Sequence, residues 1–252
     1  MQDIYVVVAV ASLDDWKAHF GMSLLAAVQD FASHRFCNVA SQRLGVLHRK
    51  SSMLPQARHQ LVESAIEVGA SHVLFIDSDQ KFPSHTIWRL LEHKLPVVAC
   101  NIPTKTFPSM PTARVRSIDC KSGTPLYTTP RTRDLQRVWR IGTGVMLIET
   151  KVFKDLPKPW FMIRYVEEVG EFVGEDWYLC ELFERYGVPV YVDQLLSWQI
   201  GHIGDAEYTH DMCLGQLCVE GKDATRKGRA VPSEDNGERR ESSTCLQGQQ
   251  GS

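Results

Sequence analysis

Two carboxylates end an apolar run in the sequence SHVLFIDSDQKFP, residues 71–83. The four apolar residues 73–76 predict a β-strand that is buried on both faces. Asp77 and Asp79 follow two positions apart, and residues at that spacing in a strand face the same side. Carboxylates in an apolar interior need a partner, and they are ligands that Mg²⁺ and Mn²⁺ prefer. The pair therefore predicts a divalent-cation site at the end of a strand, with a solvated turn as the alternative.

A second acidic pair, Glu175 and Asp176, lies in VGEDWYLC at the predicted start of a helix. Acidic residues are common there because the N-terminal end of a helix favours negative charge. The alternative is catalytic, since a carboxylate beside a hydroxyl group can remove its proton. The helix end lowers the pKa of such a base, so burial or a neighbouring carboxylate has to offset this effect.

Two glycine-containing stretches are further candidates. His202 lies between glycines in WQIGHIG, in a predicted tight loop. A single histidine is usually a surface or core residue, but imidazole also suits a Mn²⁺ site that contains carboxylates. Gly142, Thr143 and Gly144 precede an apolar run. They predict a simple turn before a strand.

The elements that must position these residues alternate along the chain. Apolar residues at three- and four-residue spacing predict helices after Ser52, after Ser84 and over residues 176–186. Strands alternating with helices indicate an α/β fold, with a mainly parallel central sheet covered by helices on both faces. The strands are predicted from apolar runs at residues 5–10, 73–76, 97–100, 145–148 and 188–192.

Composition sets the broad class of protein. The chain has 252 residues, of which 43% are hydrophobic, and this fits one α/β domain with a full core. No apolar run is long enough to span a bilayer, and the seven cysteines include no C-x-x-C pair. We therefore expect no membrane span, reduced thiols and a cytoplasmic location, which is the host cytoplasm if a phage encodes the chain. The polar residues 213–252 predict a disordered tail after a domain at 1–212.

Regular patterning fails between residues 104 and 140, which predicts an irregular basic insertion. The segment from Lys105 to Arg140 contains eight basic and only two acidic residues. A solvated loop with incidental charge is one interpretation. The other is a surface for an anionic acceptor such as nucleic acid, because basic patches neutralise phosphates. In that case Trp139 and Tyr127 would stack on an unpaired base.

The order of the motifs carries a family resemblance over about residues 5–204. Three segments, ARHQLVESAIEVGASHVLFIDSDQKFP, IGTGVMLIETKVFKDLPKPWF and GEDWYLCELFERYGVPVYVDQLLSWQIGHIG, together resemble GT-A-type glycosyltransferases. They are most similar to the small family-2-like enzymes of phages and bacteria. The resemblance implies a GT-A fold, a D-x-D motif that binds a nucleoside diphosphate sugar, and Mn²⁺ or Mg²⁺. It implies transfer of a hexosyl or pentosyl group from that donor, with UDP as the expected nucleotide, to an acceptor hydroxyl.

The same resemblance implies roles for individual residues. Asp77 and Asp79 would bind the donor and, together with His202, the metal ion. Asp176 would be the catalytic base, with Glu175 beside it. The other residues that would bind the donor are Arg58, Ser12, Gly142, Thr143 and Gly144.

Several acceptors and two other functions remain open. The acceptor candidates are a hydroxylated base in DNA, such as the 5-hydroxymethylcytosine of phage DNA, a polysaccharide, a lipid-linked sugar or a protein side chain. A metal-dependent nucleotidyltransferase also uses aspartates at strand ends, but it usually needs a phosphate loop rich in Gly or containing Lys, which AVASLDD at residues 9–15 lacks. The third candidate is a non-catalytic module that binds a nucleotide sugar or a nucleic acid.

Overall fold

A computed structural model describes residues 2–167 and 170–215 of the chain. The helices up to residue 200 are α1 Ala18–Ser33, α2 Leu54–Glu67, α3 Thr86–Glu92, α4 Thr150–Asp155, α5 Glu175–Arg185 and α6 Gln194–Ser197. The strands are β1 Gln2–Ser12, β2 Val39–Lys50, β3 His72–Ile76, β4 Gln80–Lys81, β5 Val97–Ala99, β6 Arg114–Val115, β7 Thr124–Pro125, β8 Leu135–Val138, β9 Val145–Glu149, β10 Arg164–Val166, β11 Glu171–Val173, β12 Val190–Asp193, β13 Gly201–Ile203 and β14 Glu207–Tyr208.

A seven-stranded sheet forms the centre of the fold, in the order β2-β1-β3-β9-β5-β12-β8. Strand β1 pairs in parallel with β2 and β3, and β5 pairs in parallel with β12. Strand β9 runs antiparallel between β3 and β5, and β8 runs antiparallel beside β12. The α/β class and the mainly parallel sheet flanked by helices are therefore confirmed, although the reversed direction of β9 was not predicted.

The central strands are buried on both faces, as the apolar runs predict. In β3, Val73 and Phe75 belong to one hydrophobic cluster, and Leu74 and Ile76 belong to the other. The first cluster contains residues of α2, α4 and α5, and the second contains residues of α1, α3 and α6. Because side chains alternate along a strand, the central strands β1, β3, β5 and β9 each contribute to both layers of the core. The result is a sheet between two layers of helices.

Two glycines end helices in the way their positions predict. Gly69 follows the end of α2 with φ 75°, and Gly187 follows the end of α5 with φ 72°. This left-handed conformation is accessible to glycine because it has no Cβ atom. Each glycine turns the chain into the next strand, β3 or β12. These turns therefore set where β3 and β12 begin.

The segment at 104–140 contains little regular structure. Strands β6 and β7 form a two-residue antiparallel ladder, and β8 adds to the edge of the central sheet beside β12. The predicted irregular insertion therefore belongs partly to the main sheet.

The chain that follows β14 is ordered beyond the predicted domain boundary at residue 212. Residues 210–215 are helical, and Cys213 is buried with its Sγ 3.6 Å from Ser109 Oγ. Most of the predicted tail, residues 216–252, lies outside the described residues. Among the helices of the described part, none has the length and apolar character needed to cross a membrane.

Candidate active site at one edge of the sheet

The carboxyl end of β3 and the amino end of β9 meet at the same edge of the sheet. Ile76 pairs with Val145, and the backbone N–H of Asp77 donates to the carbonyl oxygen of Gly144 at 3.0 Å. Strand β1 runs parallel to β3 and ends at Ser12. Ligands bind in open α/β sheets at this carboxyl edge. The fold thus places the D-x-D motif and the glycine loop where a ligand site is expected.

Ser12 is bound to its neighbouring strand. Its Oγ lies 2.7 Å from His48 Nε2, and its carbonyl oxygen accepts from the N–H of Ser51 at 3.1 Å. These contacts join the ends of β1 and β2. The structure therefore places Ser12 at the expected edge without bringing it against the carboxylates.

The buried side chain of Arg58 connects the two acidic pairs. Its Nη2 donates to Asp77 Oδ1 at 2.9 Å, and its Nη1 donates to Glu175 Oε1 at 2.5 Å. Burial by itself lowers the pKa of Arg58, but the carboxylates of Asp77, Glu175 and Asp176 outweigh that effect and raise the pKa above its ordinary value. Arg58 as a whole is 3% exposed. It supports the carboxylates from inside the fold, whereas the sequence led us to expect a contact with the nucleotide.

Asp176 has the properties of a general base. Burial raises its pKa, the charge of Glu175 raises it further, and despite the opposing effect of Arg58 the pKa reaches about 6. Its Oδ1 accepts from the N–H of Trp177 at 2.7 Å, which leaves Oδ2 as the oxygen available for a proton. The helix end by itself would lower the pKa of this base, and burial together with the neighbouring carboxylate of Glu175 offsets that effect. Glu175 is 11% exposed and bound to Arg58, so it is less suited to this role.

The glycine loop runs between the two acidic groups. A Cβ atom on Gly144 would lie 3.2 Å from Asp77 Oδ2 and 2.7 Å from Ile102 Cδ1. A Cβ atom on Gly142 would lie 3.4 Å from Asp176 Oδ2. Thr143 is buried, and its hydroxyl has no hydrogen-bond partner in the part of the chain that is described. The loop therefore needs small residues beside the carboxylates, and it presents no exposed hydroxyl to a donor sugar.

A small three-stranded sheet brings His202 to Asp79. Strand β4 pairs antiparallel with β13, with Gln80 opposite His202, and the N–H of Ile203 donates to the carbonyl oxygen of Asp79 at 2.8 Å. His202 Nε2 consequently lies 3.4 Å from Asp79 Oδ1. The other ring nitrogen, Nδ1, lies 2.8 Å from the carbonyl oxygen of Pro103. Because that carbonyl only accepts, Nδ1 carries a proton, and Nε2 is the atom turned to the carboxylate.

Lys105 also binds this carboxylate. Its Nζ lies 2.5 Å from Asp79 Oδ2. Burial alone raises the pKa of Asp79, but hydrogen bonds from His202 and Lys105 outweigh it and lower the pKa to about 2. The sequence showed Lys105 only as one of several basic residues. Its place beside Asp79 could not be predicted because the contact joins segments far apart in the chain.

The three predicted metal ligands do not form one group. Within residues 2–167 and 170–215, no set of three or more His, Cys, Asp or Glu side chains is arranged to hold a metal ion. Asp79 and His202 are together, but Asp77 turns Oδ1 to Arg58. Mg²⁺ is usually bound by one or two carboxylates plus substrate phosphates and water. Asp79 and His202 alone would fit that mode if a bound substrate and water supplied the remaining ligands.

Two cavities adjoin the acidic pair at the start of α5. One, of about 380 Å³, is lined by Asp176, Trp177, Phe172 and basic side chains that include Arg114. The other is a mainly apolar groove of about 830 Å³ that reaches Glu175; its wall includes Met53, Leu54, Pro55, Phe161, Met162 and Ile163. Asp176 can therefore be approached from a cavity that is lined in part by basic side chains.

Comparisons with known proteins identify a fold but no family. No protein-family model matches the chain, and no curated protein matches it. Among solved structures, the chain is similar to the crystal structure of A197 from STIV, with a TM-score of 0.54 and 14% sequence identity over 83% of this chain and 91% of that chain. At this level of identity the likeness shows a shared fold alone.

Proposed function

We propose that this chain is a metal-dependent glycosyltransferase with a GT-A fold. It moves a sugar from a nucleoside diphosphate sugar, with UDP as the expected nucleotide, to the hydroxyl group of an acceptor. One arrangement carries the proposal: a carboxylate–imidazole pair, Asp79 and His202, follows the end of β3, and a separate carboxylate with a pKa of about 6, Asp176, lies beside the Arg58 group that binds Asp77 at that same strand end.

The contacts of His202 support a cation site at Asp79. Because Nδ1 faces the carbonyl oxygen of Pro103, Nε2 is the ring nitrogen that faces Asp79 Oδ1, 3.4 Å away. A metal ion could take the position that a proton shared by these two atoms would otherwise occupy. The ammonium of Lys105 already neutralises the other oxygen of this carboxylate. Asp79 and His202 would hold Mn²⁺ or Mg²⁺, with Asp77 next to it, and the ion would stabilise the negative charge that grows on the leaving diphosphate.

The residues around Asp176 account for the acceptor half of the reaction. The acceptor oxygen bonds to the anomeric carbon of the sugar while the bond from that carbon to the diphosphate breaks. The electron pair leaves with the diphosphate, and the hydroxyl proton passes to Asp176 Oδ2. Arg58 holds Asp77 and Glu175 in place, and the charge of Glu175 helps to keep the pKa of Asp176 raised. If the anomeric configuration is retained, Asp176 orients the acceptor instead of removing its proton.

Donor binding is the first test. We expect UDP-sugars with Mn²⁺ to raise the melting temperature of the wild type, because a ligand at a hundred times its Kd stabilises by about 2.7 kcal/mol. Asp79→Asn should abolish this shift, since the neutral amide is a poor ligand for the ion. Asp205→Asn is the matched control, because Asp205 is an exposed carboxylate between β13 and β14. Its shift should equal that of the wild type.

The products separate this function from its rivals. A transferase should hydrolyse its donor slowly without acceptor, with a requirement for Mn²⁺, and Asp79→Asn should stop the release of UDP. Binding of a nucleotide sugar with no release of UDP would favour a binding module. Consumption of a nucleoside triphosphate with release of pyrophosphate would favour a nucleotidyltransferase. No response to any nucleotide sugar with Mn²⁺ contradicts the proposal.

Removal of Lys105 should strengthen binding of the metal ion alone. Lys105→Gln takes away an ammonium that competes for Asp79, and a partly exposed ion pair is worth about 0.2–1 kcal/mol. The affinity for Mn²⁺, measured by calorimetry without nucleotide, should therefore rise up to about fivefold. Lys81→Gln is the control, because Lys81 pairs with Glu207 on the same small sheet. Equal or weaker binding by Lys105→Gln would show that the ion does not bind at Asp79.

A further inference from the structure

Arginine and tryptophan side chains alternate in a row beside Asp176. The guanidinium carbon of Arg116 lies 4.8 Å from the ring centroid of Trp139, and that of Arg140 lies 4.1 Å from the same ring. Arg140 is also 4.8 Å from the ring of Trp177, and Arg114 is 5.6 Å from that ring. We call these five side chains, Arg116, Trp139, Arg140, Trp177 and Arg114, the Arg–Trp row.

The Arg–Trp row connects two cavities. Arg114, Arg140 and Trp177 line the cavity of about 380 Å³ that contains Asp176, together with Lys121. Arg116 and Trp139 line a cavity of about 300 Å³, together with Arg137. The row is continuous because Trp139 and Arg140 are adjacent in the chain and stack on each other. A ligand longer than one sugar can therefore follow the row away from Asp176.

Carboxylates neutralise only part of this row. Arg140 Nη2 donates to Glu181 Oε1 at 2.9 Å, and Arg116 pairs with Glu184. Both glutamates lie on α5, so they fix the two guanidinium groups against the body of the domain. These ion pairs hold Arg116 and Arg140 in place and offset much of their charge, although Glu181 is shared with Arg164.

Three other cations along the row have no carboxylate partner among the described side chains. Arg114 Nη1 donates to the carbonyl oxygen of Gly123 at 3.1 Å, and Lys121 and Arg137 are exposed. Stacking on an indole leaves the N–H groups in the plane of a guanidinium free to bind phosphate oxygens. The two cavities along the row thus offer three positive groups to an anionic ligand, Arg114 and Lys121 in the cavity of Asp176 and Arg137 in the other.

Exposed aromatic rings complete this surface. Phe172 lines the cavity that contains Asp176 and is 75% exposed. Tyr165, opposite it on the β10–β11 hairpin, is 52% exposed, and the two ring centroids are 5.3 Å apart. An exposed ring beside a row of cations is the arrangement on which the bases of a single strand stack.

We propose that the acceptor is a single-stranded segment of nucleic acid bound along the Arg–Trp row. This inference rests on the proposed transferase function, because it assigns the strand as the acceptor of the sugar. Phosphates of the strand contact Arg114, Lys121 and Arg137, and a base stacks on Phe172. The hydroxyl to be modified enters the recessed cavity at Asp176, so the base that carries it must be unpaired or turned out of a duplex. A neutral glycan would use none of the three cations.

Salt dependence of binding tests the phosphate contacts. The probe is a fluorescein-labelled single-stranded oligodeoxynucleotide, followed by fluorescence anisotropy over a range of salt concentrations. We expect Arg114→Gln/Arg137→Gln to reduce the slope of log Kd against log salt by about 1.4, because each phosphate contact on a single strand contributes about 0.7. Arg43→Gln is the matched control. Arg43 lies on β2, at the opposite edge of the sheet from β8, and its guanidinium carbon is likewise near an aromatic ring, 4.4 Å from the ring centroid of Tyr5. Its slope should not change.

Replacement of Phe172 tests the stacking contact separately. Phe172→Ala should weaken binding of the oligodeoxynucleotide by about 5- to 150-fold, the loss of one stacked base. It should leave the salt slope and the binding of an abasic strand unchanged. An unchanged salt slope in the double arginine variant, or equal binding of a phosphorylated polysaccharide that is insensitive to Phe172→Ala, would overturn the inference.

Hydrolysis of UDP-sugar without acceptor, measured on the same variants, separates this inference from the transferase proposal. Donor hydrolysis in the wild type with no strand binding would overturn the acceptor inference and leave the transferase intact. Strand binding with no hydrolysis of any nucleotide sugar would contradict the transferase, and with it the role of the strand as an acceptor. The inference is supported when both activities are present and only strand binding falls in the arginine and phenylalanine variants.

Discussion

Replacing Asp176 with asparagine should lower kcat by about 10²- to 10⁴-fold, the usual contribution of a general base. Asparagine has the same shape but cannot take the proton of the acceptor hydroxyl. The measurement is the initial rate of sugar transfer at saturating donor and Mn²⁺. Glu171→Gln is the control, because Glu171 lines the same cavity and is exposed. Comparable rates for Asp176→Asn and the wild type would show that Asp176 is not the catalytic base.

The pH dependence gives an independent check on this residue. A base with a pKa of about 6 is ionised above that pH, so the wild-type rate should reach a plateau there and fall about tenfold per unit below it. In Glu175→Gln this fall in rate should occur at lower pH, because the charge of Glu175 helps to raise the pKa of Asp176. An unchanged pH–rate profile would show that Glu175 acts only through Arg58.

The stability of Asp176→Asn should show that its loss of activity is not due to unfolding. The pKa of an unfolded Asp is about 3.9, and the folded value is about 6. The wild type therefore has extra stability at low pH and loses it as the pH rises through 6, because the folded state binds the proton more tightly. At pH 8 the neutral amide avoids this penalty. Chemical denaturation at pH 8 should show a gain on the order of 2 kcal/mol.

Replacing Arg58 with leucine should reduce the free energy of unfolding by about 3–5 kcal/mol, as expected when one partner of a buried ion pair is removed. In the wild type one guanidinium lies among the carboxylates of Asp77, Glu175 and Asp176. Without it, these negative charges repel each other with no compensation in a poorly solvated site. Urea denaturation at pH 8 measures the loss, and at acidic pH the loss should shrink because protonation neutralises the carboxylates.

Two further variants identify the cause of that loss. Arg58→Lys keeps the charge but cannot bind both carboxylates with one planar group, so its stability should fall between the wild type and Arg58→Leu. Arg89→Leu also removes an arginine from a buried carboxylate, Asp193, but His93 Nε2 remains 2.8 Å from that carboxylate. Its loss should be smaller. A loss for Arg58→Leu that does not depend on pH would point to packing rather than charge.

Much of the fold could be predicted from the sequence because its central strands are buried. The run at 73–76 is apolar on both faces, and this is why β3 was predicted almost to its observed ends. Strand β2 was not predicted, because it lies at the edge of the sheet and exposes many polar residues. The direction of β9 could not be predicted either, since a buried strand has the same apolar run in either orientation.

The site was predictable only in part, and for a similar reason. Asp77 and Asp79 could be identified from their position after a buried strand, and Glu175 and Asp176 from the start of a helix. The pairing of Asp79 with His202 depends on strands β4 and β13, which contain two and three residues. Such short strands carry no periodic pattern. The inward position of Arg58 was also missed, because a helix of mixed composition does not show which cation it buries.

The reversed direction of β9 has a consequence for which parts of the chain can vary in length. Strand β5 ends at the edge that carries Asp77 and β9 begins there, so the chain between them leaves β5 and returns to β9 at that edge, adding β8 beside β12 on the way. Doubling the length of a flexible loop costs only about 0.6 kcal/mol. We therefore expect the loops of this segment, on which the proposed acceptor surface lies, to tolerate insertions, and β8 to resist them.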